Sequence, residues 1–528
     1  MRHPVRSILA GALAATLALS LGACSQTGGQ AGGAGAGDEA RDTFVYARSA
    51  AVTSLDLWTE ITANNAFAID KVFEPLLSFD KDGNIIDWLT KSHEVSADGL
   101  TYTFMLKDGL KFSDGSEVTA DDVVFSIDEH LNEKDAALPL DADIASVTAR
   151  DKATVEVKLN SPDTPLLAEF ANFSNGIVPK DFGGKTEEEF FKKPVGTGPW
   201  TVEKWDPSGD LSFVANKHYW GKTSGTLKRL EYKLVEDGTQ AVNQLKTGQV
   251  DGIENPASES LEELGADGAQ TKVLSNGSWV TEQLFFNTKD EHFADVHVRR
   301  ALALAFDRDA VTKAVSFGHA VTANAVVPSA IRYSGQKTVK SLASGGADLD
   351  AAKKELAQSK YADGFATKIL IPSGDNARKQ TAQLFQSAAK GLGIDVTIDA
   401  ADSATFRDRF KKFDYAIMLN SSQADYPDAD SIVSFLADPD GFSNSYWTGY
   451  SNPKVTAALK QARATADGDG RGRLYEGIQQ TLADEVPYIP LYSPDIVKAV
   501  RSDVQGLEVL PNDSVRFQNV TFGDAAAK

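Results

Sequence analysis

An α/β fold spread over more than one lobe is what the sequence predicts, on three observations. The chain has 528 residues, more than a single hydrophobic core usually organises. From Phe44 onward, strand-like alternation gives way repeatedly to helix-like spacing, the pattern of α/β proteins. No repeat period of the kind seen in solenoids or propellers runs through it. With 42% hydrophobic and 24% charged residues, the composition suits a chain that buries a core and does not stay disordered.

At the N-terminus, Arg2, His3 and Arg6 precede the apolar run "SILAGALAATLALS" and then "LGACS". That run is short and alanine-rich for a bilayer span and ends in small residues, so residues 1–23 are expected to be a cleaved secretion signal. The sole cysteine, Cys24, follows Leu21, Gly22 and Ala23, which resembles the lipobox of bacterial lipoproteins, where the cysteine becomes the new N-terminus and carries diacylglycerol. One cysteine allows no intramolecular disulfide, so stability must come from packing. Residues 24–40, "CSQTGGQAGGAGAGDEA", hold almost nothing to bury and read as a flexible tether. No later segment is long and apolar enough to span a membrane, so the expectation is a protein held on a membrane surface by lipid.

Charge narrows the partners. Without residues 1–23 the basic residues fall from 53 to 51 against 74 acidic ones, a net charge of about −23. Nucleic-acid binding needs basic clusters that displace counterions, and only short pairs such as Arg299/Arg300 and Lys411/Lys412 occur. An acidic body favours solubility and, weakly, cationic ligands.

The elements follow in order. Leu100, Tyr102, Phe104 and Leu106 alternate with polar or smaller residues, and Asp-Gly pairs beginning at 98, 108 and 114 mark tight turns, which predicts hairpin strands. Thr119 with Asp122 three residues later predicts a capping box opening the helix "ADDVVFSIDEHL". In "TAQLFQSAAKGLG" the spacing of Leu384, Ala388 and Leu392 predicts a helix face, closed by Gly393. A strand with Ile394, Val396 and Ile398 on one face follows, then a helix with Phe406 and Phe410 one turn apart, then the apolar run "DYAIML". Strand, helix and strand in that order predict crossover units of a largely parallel sheet. The stretch "QADYPDAD", residues 423–430, then lies just past the carboxyl end of a buried strand, where open α/β sheets present ligand-binding groups.

Catalytic constellations are not visible. The seven histidines show no zinc-ligand spacing, and neither a "GxSxG" elbow nor a "GxxxxGK[ST]" phosphate loop occurs; "VGTGPW" at 195–200 reads as a tight turn. Asp425, Asp428 and Asp430 match neither a calcium loop nor a clear acid/base pair. Asp428 and Asp430 suit the N-terminus of the helix "SIVSFLA", whereas Asp425 sits too early to be a cap.

Four segments carry a family resemblance: "VFEPLLSFDKDGNIIDWLTKSHEVSADGLTYTFMLKDGLKFSDGSEVTADDVVFS", "VGTGPWTVEKW" with "NKHYWG", "LFFNT" leading to "DVHVRRALALAFDRDAV", and "LYEGIQQTLADEVPYIPLY". In this order they resemble the extracellular solute-binding proteins of family 5 of ABC importers, a family that includes oligopeptide-, dipeptide- and nickel-binding proteins. The resemblance implies an α/β fold like that of type II periplasmic binding proteins, with two ligand lobes about a hinged cleft and a third, inserted lobe. It puts residues 38–73, 190–278 and 490–528 in lobe I, 74–189 in the inserted lobe and 279–489 in lobe II. It implies a monomeric, non-enzymatic receptor, lipid-anchored on the extracytoplasmic face of a bacterial cell membrane. Such a receptor captures peptides and delivers them to the transmembrane subunits of a permease, and it needs no cofactor.

By the same resemblance, Asp425 and Tyr426 match an Asp-Tyr pair whose carboxylate meets a peptide α-ammonium. The stretches 54–62, with Ile61 and Thr62, and 419–423, with Asn420, Ser421 and Ser422, resemble main chain that pairs with an extended peptide. Trp447 and Tyr450 suit a pocket lining or a core equally well. No basic residue stands out as an anchor for a peptide carboxylate. The alternatives are the same receptor role for an oligosaccharide or chelated metal, and a lipid-anchored extracellular hydrolase.

Overall fold

The computed structural model describes residues 41–59, 62–138, 140, 142–342, 346–439 and 448–523. Cys24, Ile61 and Trp447 lie outside the described residues.

Twelve strands join in one sheet. In chain order they are β1 (Thr43–Arg48), β2 (Trp200–Trp205), β3 (Leu211–Ala215), β4 (Arg229–Leu234), β5 (Gly252–Glu254), β6 (Thr271–Gly277), β7 (Val280–Phe286), β8 (Ala320–Thr322), β9 (Ala366–Pro372), β10 (Asp395–Ala401), β11 (Ile417–Gln423) and β12 (Tyr488–Arg501). Across the sheet the order is β10-β9-β11-β7-β12-β5-β1-β4-β3-β2, with β6 and β8 also paired to β12. The predicted crossover units are present, since β9 runs parallel to both β10 and β11 and β1 runs parallel to both β4 and β5. The expectation of a largely parallel sheet is corrected, because every other pairing is antiparallel. Four of these seven pairings are made by β12. It returns from the end of the chain against β5, β6, β7 and β8 at once, with β6 and β7 end to end along it.

Separate cores flank this sheet. One gathers Phe44, Tyr46, Phe213, Leu230 and Phe517, all almost fully buried. Another gathers Leu284, Phe286, Ile371, Val396 and Ile417. Complete burial of such side chains stabilises by about 1.5–3 kcal/mol each. In the first of them, α1 (Ala63–Val72) contributes Ala68, Ile69 and Val72 and ends against the turn "VGTGPW". There the glycines are demanded by close approach: a Cβ on Gly196 would stand 2.1 Å from the Val72 carbonyl oxygen, and one on Gly198 2.4 Å from that of Lys71.

The predicted hairpins form a four-stranded antiparallel sheet ordered 90–95, 101–106, 154–159, 144–149. Tyr102, Phe104 and Leu106 face its core, and Gly99, Gly109 and Gly115 take positive φ in the Asp-Gly turns. The capping box is also present. The Asp122 carboxylate accepts from the Thr119 backbone N–H at 2.7 Å and its hydroxyl at 2.8 Å, opening α2 (Ala120–Asn132). One helix face is corrected. In α3 (Asn376–Lys390) the buried side is Thr381, Ala382, Phe385 and Ala389, while Leu384 is 36% exposed. Phe385 is the bulkier anchor, and its i−3 and i+4 neighbours, Ala382 and Ala389, share its face.

Candidate functional site

Strand β11 brings the predicted residues forward. It pairs with β7 along its whole length, from Ile417 against Phe286 to Gln423 against Val280. On its other edge β9 reaches only Ile417 and Met418. Among the described residues no strand pairs with that edge from Leu419 to Gln423. Ser422 is buried and its hydroxyl accepts from the Gln283 side-chain amide. The Asn420 side-chain oxygen accepts from the Ser421 N–H at 3.0 Å. The Ser421 hydroxyl accepts from Arg378 at 3.3 Å, and Arg378 is itself paired two-pronged with Glu282 at 2.9 and 3.1 Å. Sequence reasoning missed Arg378. It stands in the first turn of α3, 43 residues from Ser421, and reaches across to the Glu282–Ser421 pair that the β7–β11 register sets side by side.

Beyond the strand the three aspartates part company. Asp425 is exposed; its backbone N–H donates to the Ser431 hydroxyl at 2.8 Å and its carbonyl accepts from the Asn172 side chain at 2.7 Å. These two bonds fix where its carboxylate starts from. Asp428 is the N-cap of α4 (Ala429–Ala437), accepting from the Asp430 N–H at 2.9 Å. It is also gripped by both guanidinium ends of Arg471, at 2.5 and 2.8 Å. Burial, the largest influence on Asp428, pushes its carboxyl above the ordinary range even against Arg471.

Asp430 does not cap the helix. Fully buried, it accepts from the hydroxyls of Tyr475 at 2.8 Å, Ser434 at 3.0 Å and Tyr426 at 3.2 Å. Arg463 adds a fourth contact at 3.0 Å and reaches on to Asp163 at 2.8 Å. Tyr426 is therefore 8% exposed with its hydroxyl turned into this network, whereas Asp425 faces open space.

That space is a cleft of about 630 Å³. Gln423, Ala424 and Asp425 form one wall; Ala63, Phe67 and Asp70 of α1 and the turn Asn512–Ser514 line it as well. Asp70 and Asp513 each meet a neighbouring lysine. Asp70 meets Lys71 at 2.6 Å and accepts from the Ser514 hydroxyl, and Asp513 meets Lys498 at 2.5 Å. Burial lowers Lys71 from the usual lysine range and raises Asp513.

Thr62 stands at the mouth of α1 as its N-cap, accepting from the Asn65 N–H at 3.2 Å. Residues 54–59 form no strand; the Asp56 carboxylate turns the chain by accepting from the N–H groups of Trp58 and Thr59. Tyr450 is a core residue, 5% exposed with its hydroxyl on Glu485. Among the described residues no group of three or more His, Cys, Asp or Glu side chains is disposed to hold a metal ion.

Comparison with known proteins matches this architecture. The family of bacterial extracellular solute-binding proteins, family 5 Middle, matches residues 84–444. Oligopeptide-binding protein OppA of Bacillus subtilis (strain 168) is 26% identical over 489 residues, covering 86% of this chain and 88% of its own. Heme-binding protein A of Haemophilus influenzae is 28% identical over the same length and shares. Among solved structures, HbpA2 from Haemophilus parasuis superposes with a TM-score of 0.79 at 25% identity, over 91% of this chain and 99% of that one. The periplasmic binding protein DppA from Helicobacter pylori, in complex with the peptide STSA, gives 0.77 at 25% identity over 91% and 98%. The fold is the mixed α/β fold of type II periplasmic binding proteins. By a match covering most of its length and a shared architecture, the chain belongs to family 5 of the bacterial extracellular solute-binding proteins.

Proposed function

We propose that the protein is the solute receptor of an ABC importer and captures peptides in the cleft lined by Asp425. The observation that carries this is the exposed Asp425 carboxylate on the wall of a cleft of about 630 Å³, fixed through its own backbone by Ser431 and Asn172. An ammonium leaving water for a closed cleft needs a counter-charge held in place, and Asp425 supplies one. The edge of β11 from Leu419 to Gln423 supports an extended ligand, because main-chain pairing accepts many side chains. Arg378, beside Ser421, is a candidate for the acidic end of such a ligand once Glu282 shares it.

The lobe boundaries at residues 73/74, 189/190, 278/279 and 489/490 belong to the same reading. Its support is that one core draws mostly on residues 44–73, 190–232 and 500–520, with Val178 and Phe182 joining it from the inserted segment, and another on residues 284–492. Closure about β12 and the β6–β7 junction buries the ligand, and the closed form is what the permease recognises. Lipid on Cys24 keeps the monomeric receptor on the extracytoplasmic membrane surface, raising its effective concentration beside the permease.

A second reading, the same role for a chelated metal or other non-peptide solute, is favoured by the similarity to heme-binding protein A. Titration calorimetry of Asp425→Ala decides between them. A peptide receptor loses about 2–5 kcal/mol of affinity, and unchanged affinity for every peptide that the natural protein binds rejects the ammonium anchor.

A further inference from the structure

Among the described residues His130 is the one buried histidine, 2% exposed near the end of α2. Both its nitrogens meet oxygen. Nδ1 lies 3.0 Å from the Asn175 side-chain oxygen and Nε2 2.9 Å from the Leu138 carbonyl oxygen. The Asn175 amide is not free to turn over, because its nitrogen already donates to the Glu169 carbonyl at 2.8 Å. A backbone carbonyl only accepts. Three contacts therefore run in a row, from the Glu169 carbonyl through Asn175 and His130 to the Leu138 carbonyl, and each needs one proton. The amide supplies the first. The imidazole must supply the other two, which only its doubly protonated form can do.

That charge has no counter-ion among the described residues, where the ion pairs of histidine belong to His93, His292 and His297. Neighbouring carboxylates serve elsewhere. On α2 itself Asp122 holds Thr119 and the Lys180 N–H, Glu133 accepts from the Asp135 N–H, Asp128 is exposed and Glu129 half-buried. On the elements around it Glu156 meets Arg150 and Lys158, Glu169 meets Arg463, Asp56 turns residues 56–59, and Asp181 is exposed. Lys134 and Lys180 are exposed as well. Burial holds the ring below the ordinary histidine range, against the pull of its two oxygen partners. Loss of one proton to solvent then breaks one contact. A neutral ring keeps its N–H on Asn175, which Glu169 locks, and turns a lone pair on the Leu138 carbonyl. Leu138 is half-buried and lines the cleft, so that carbonyl can turn to water instead.

We infer that His130 is a proton-operated tie for the cleft wall: with two ring protons it holds residues 137–138 against α2, and with one it lets them go. A neighbouring bond reports on it. The Ala137 N–H donates to the Trp58 carbonyl at 2.7 Å, and the Trp58 ring flanks His130 with 6.3 Å between centroids and 25° between planes. On the other side, the turn Phe173–Asn175 is capped by Asn172, whose side chain holds the Asp425 carbonyl. That the released wall belongs to a ligand site rests on the receptor reading, whereas the tie itself does not and is measured without ligand.

The test is nitrogen NMR of the full-length protein labelled at histidine, titrated from pH 4 to 8. His130 is expected to carry two ring protons at the acid end and one at neutral pH. His130→Gln identifies its signals; should that variant fail to fold, slow solvent exchange of the ring N–H marks the buried ring among the exposed ones. Hydrogen exchange of the same protein, corrected for the intrinsic effect of pH, is expected to show protection of the Ala137 N–H falling about tenfold or more across that titration. The Asn175 N–H, bonded to the Asn172 carbonyl at 3.0 Å, is expected to keep its protection. In His130→Gln, which has no titrating ring, the corrected Ala137 rate is expected to stay the same throughout. A ring whose proton count never changes overturns the tie, and so does one that titrates while Ala137 exchange stays constant. A pH-dependent Ala137 rate that survives in His130→Gln assigns the effect to another group and overturns it too. These outcomes stand whatever peptide calorimetry shows, so a failed tie and a failed receptor reading are told apart.

Discussion

Asp425 and Asp428 stand three residues apart in one loop, and their carboxylates live in opposite surroundings. Asp425 is exposed on the wall of a cleft, whereas Asp428 is 5% exposed, closes a helix end and is clasped by Arg471. The contrast teaches that a cluster of acidic residues in sequence is sorted by what reaches it from elsewhere. Arg463 and Arg471 come from helices Pro453–Ala464 and Asp469–Glu485, more than thirty residues on, and they convert two of the three aspartates into framework. Glu74 shows a third arrangement, a buried carboxylate held by neutral donors alone, and burial pushes it up to about 7.

The comparison is open to experiment, beginning with its stiffest member. Arg471→Ala leaves Asp428 buried without its guanidinium and is expected to cost about 3–5 kcal/mol of stability, read from denaturant unfolding; an unchanged midpoint would erase the distinction between framework and site. Next comes Glu74. Its folded-state pKa, about 7, lies above the ordinary 4.5, so its contribution to stability is fully present below pH 4.5 and is lost as pH rises through 7. The loss amounts to about 3 kcal/mol, and Glu74→Gln is expected to flatten that part of a Tm profile recorded from pH 4 to 8. Thr62→Ala removes the cap of α1 and should cost about 1 kcal/mol; calorimetric melting resolves it, and a larger effect on ligand affinity than on Tm would return Thr62 to the binding site. Smallest is Asp425→Ala without ligand, expected within about 0.5 kcal/mol of the natural protein, because the residue is exposed and its bonds to Ser431 and Asn172 run through its backbone, which the substitution keeps. A large loss of unliganded stability would move Asp425 into the framework.

What could be read in advance was what depends on neighbours along the chain. The hairpin with Tyr102, Phe104 and Leu106, the capping box of Thr119 and Asp122, and the cap at Asp428 each involve residues within a turn or two of one another. The face of α3 was misread because three apolar letters at the right spacing outweighed the single large Phe385 between them. Tyr426 showed the reverse difficulty. Nothing local announces that its hydroxyl is turned toward Asp430, since that follows from the turn at Pro427 and the burial of α4. Arg378 and the acid-to-arginine network were illegible because their partners lie tens or hundreds of residues away, as with Arg463 and Asp163. The large sheet was misjudged as mostly parallel in good part because its central strand, which makes four of the seven antiparallel pairings, is among the last segments of the chain.

That last strand has a consequence for how the molecule comes into being. β12 pairs with β7 and β8 through its first half and with β5 and β6 through its second, so the sheet lacks its middle until residues 488–501 have been made. A ribosome finishing the first 480 residues has produced two unfinished sheet fragments and no way to join them. Contacts of such sequence separation form slowly, so the large sheet is completed last. Truncation anywhere before β12 should accordingly yield an aggregation-prone fragment with exposed strand edges, and less than the last tenth of the sequence acts as the clasp that completes the fold.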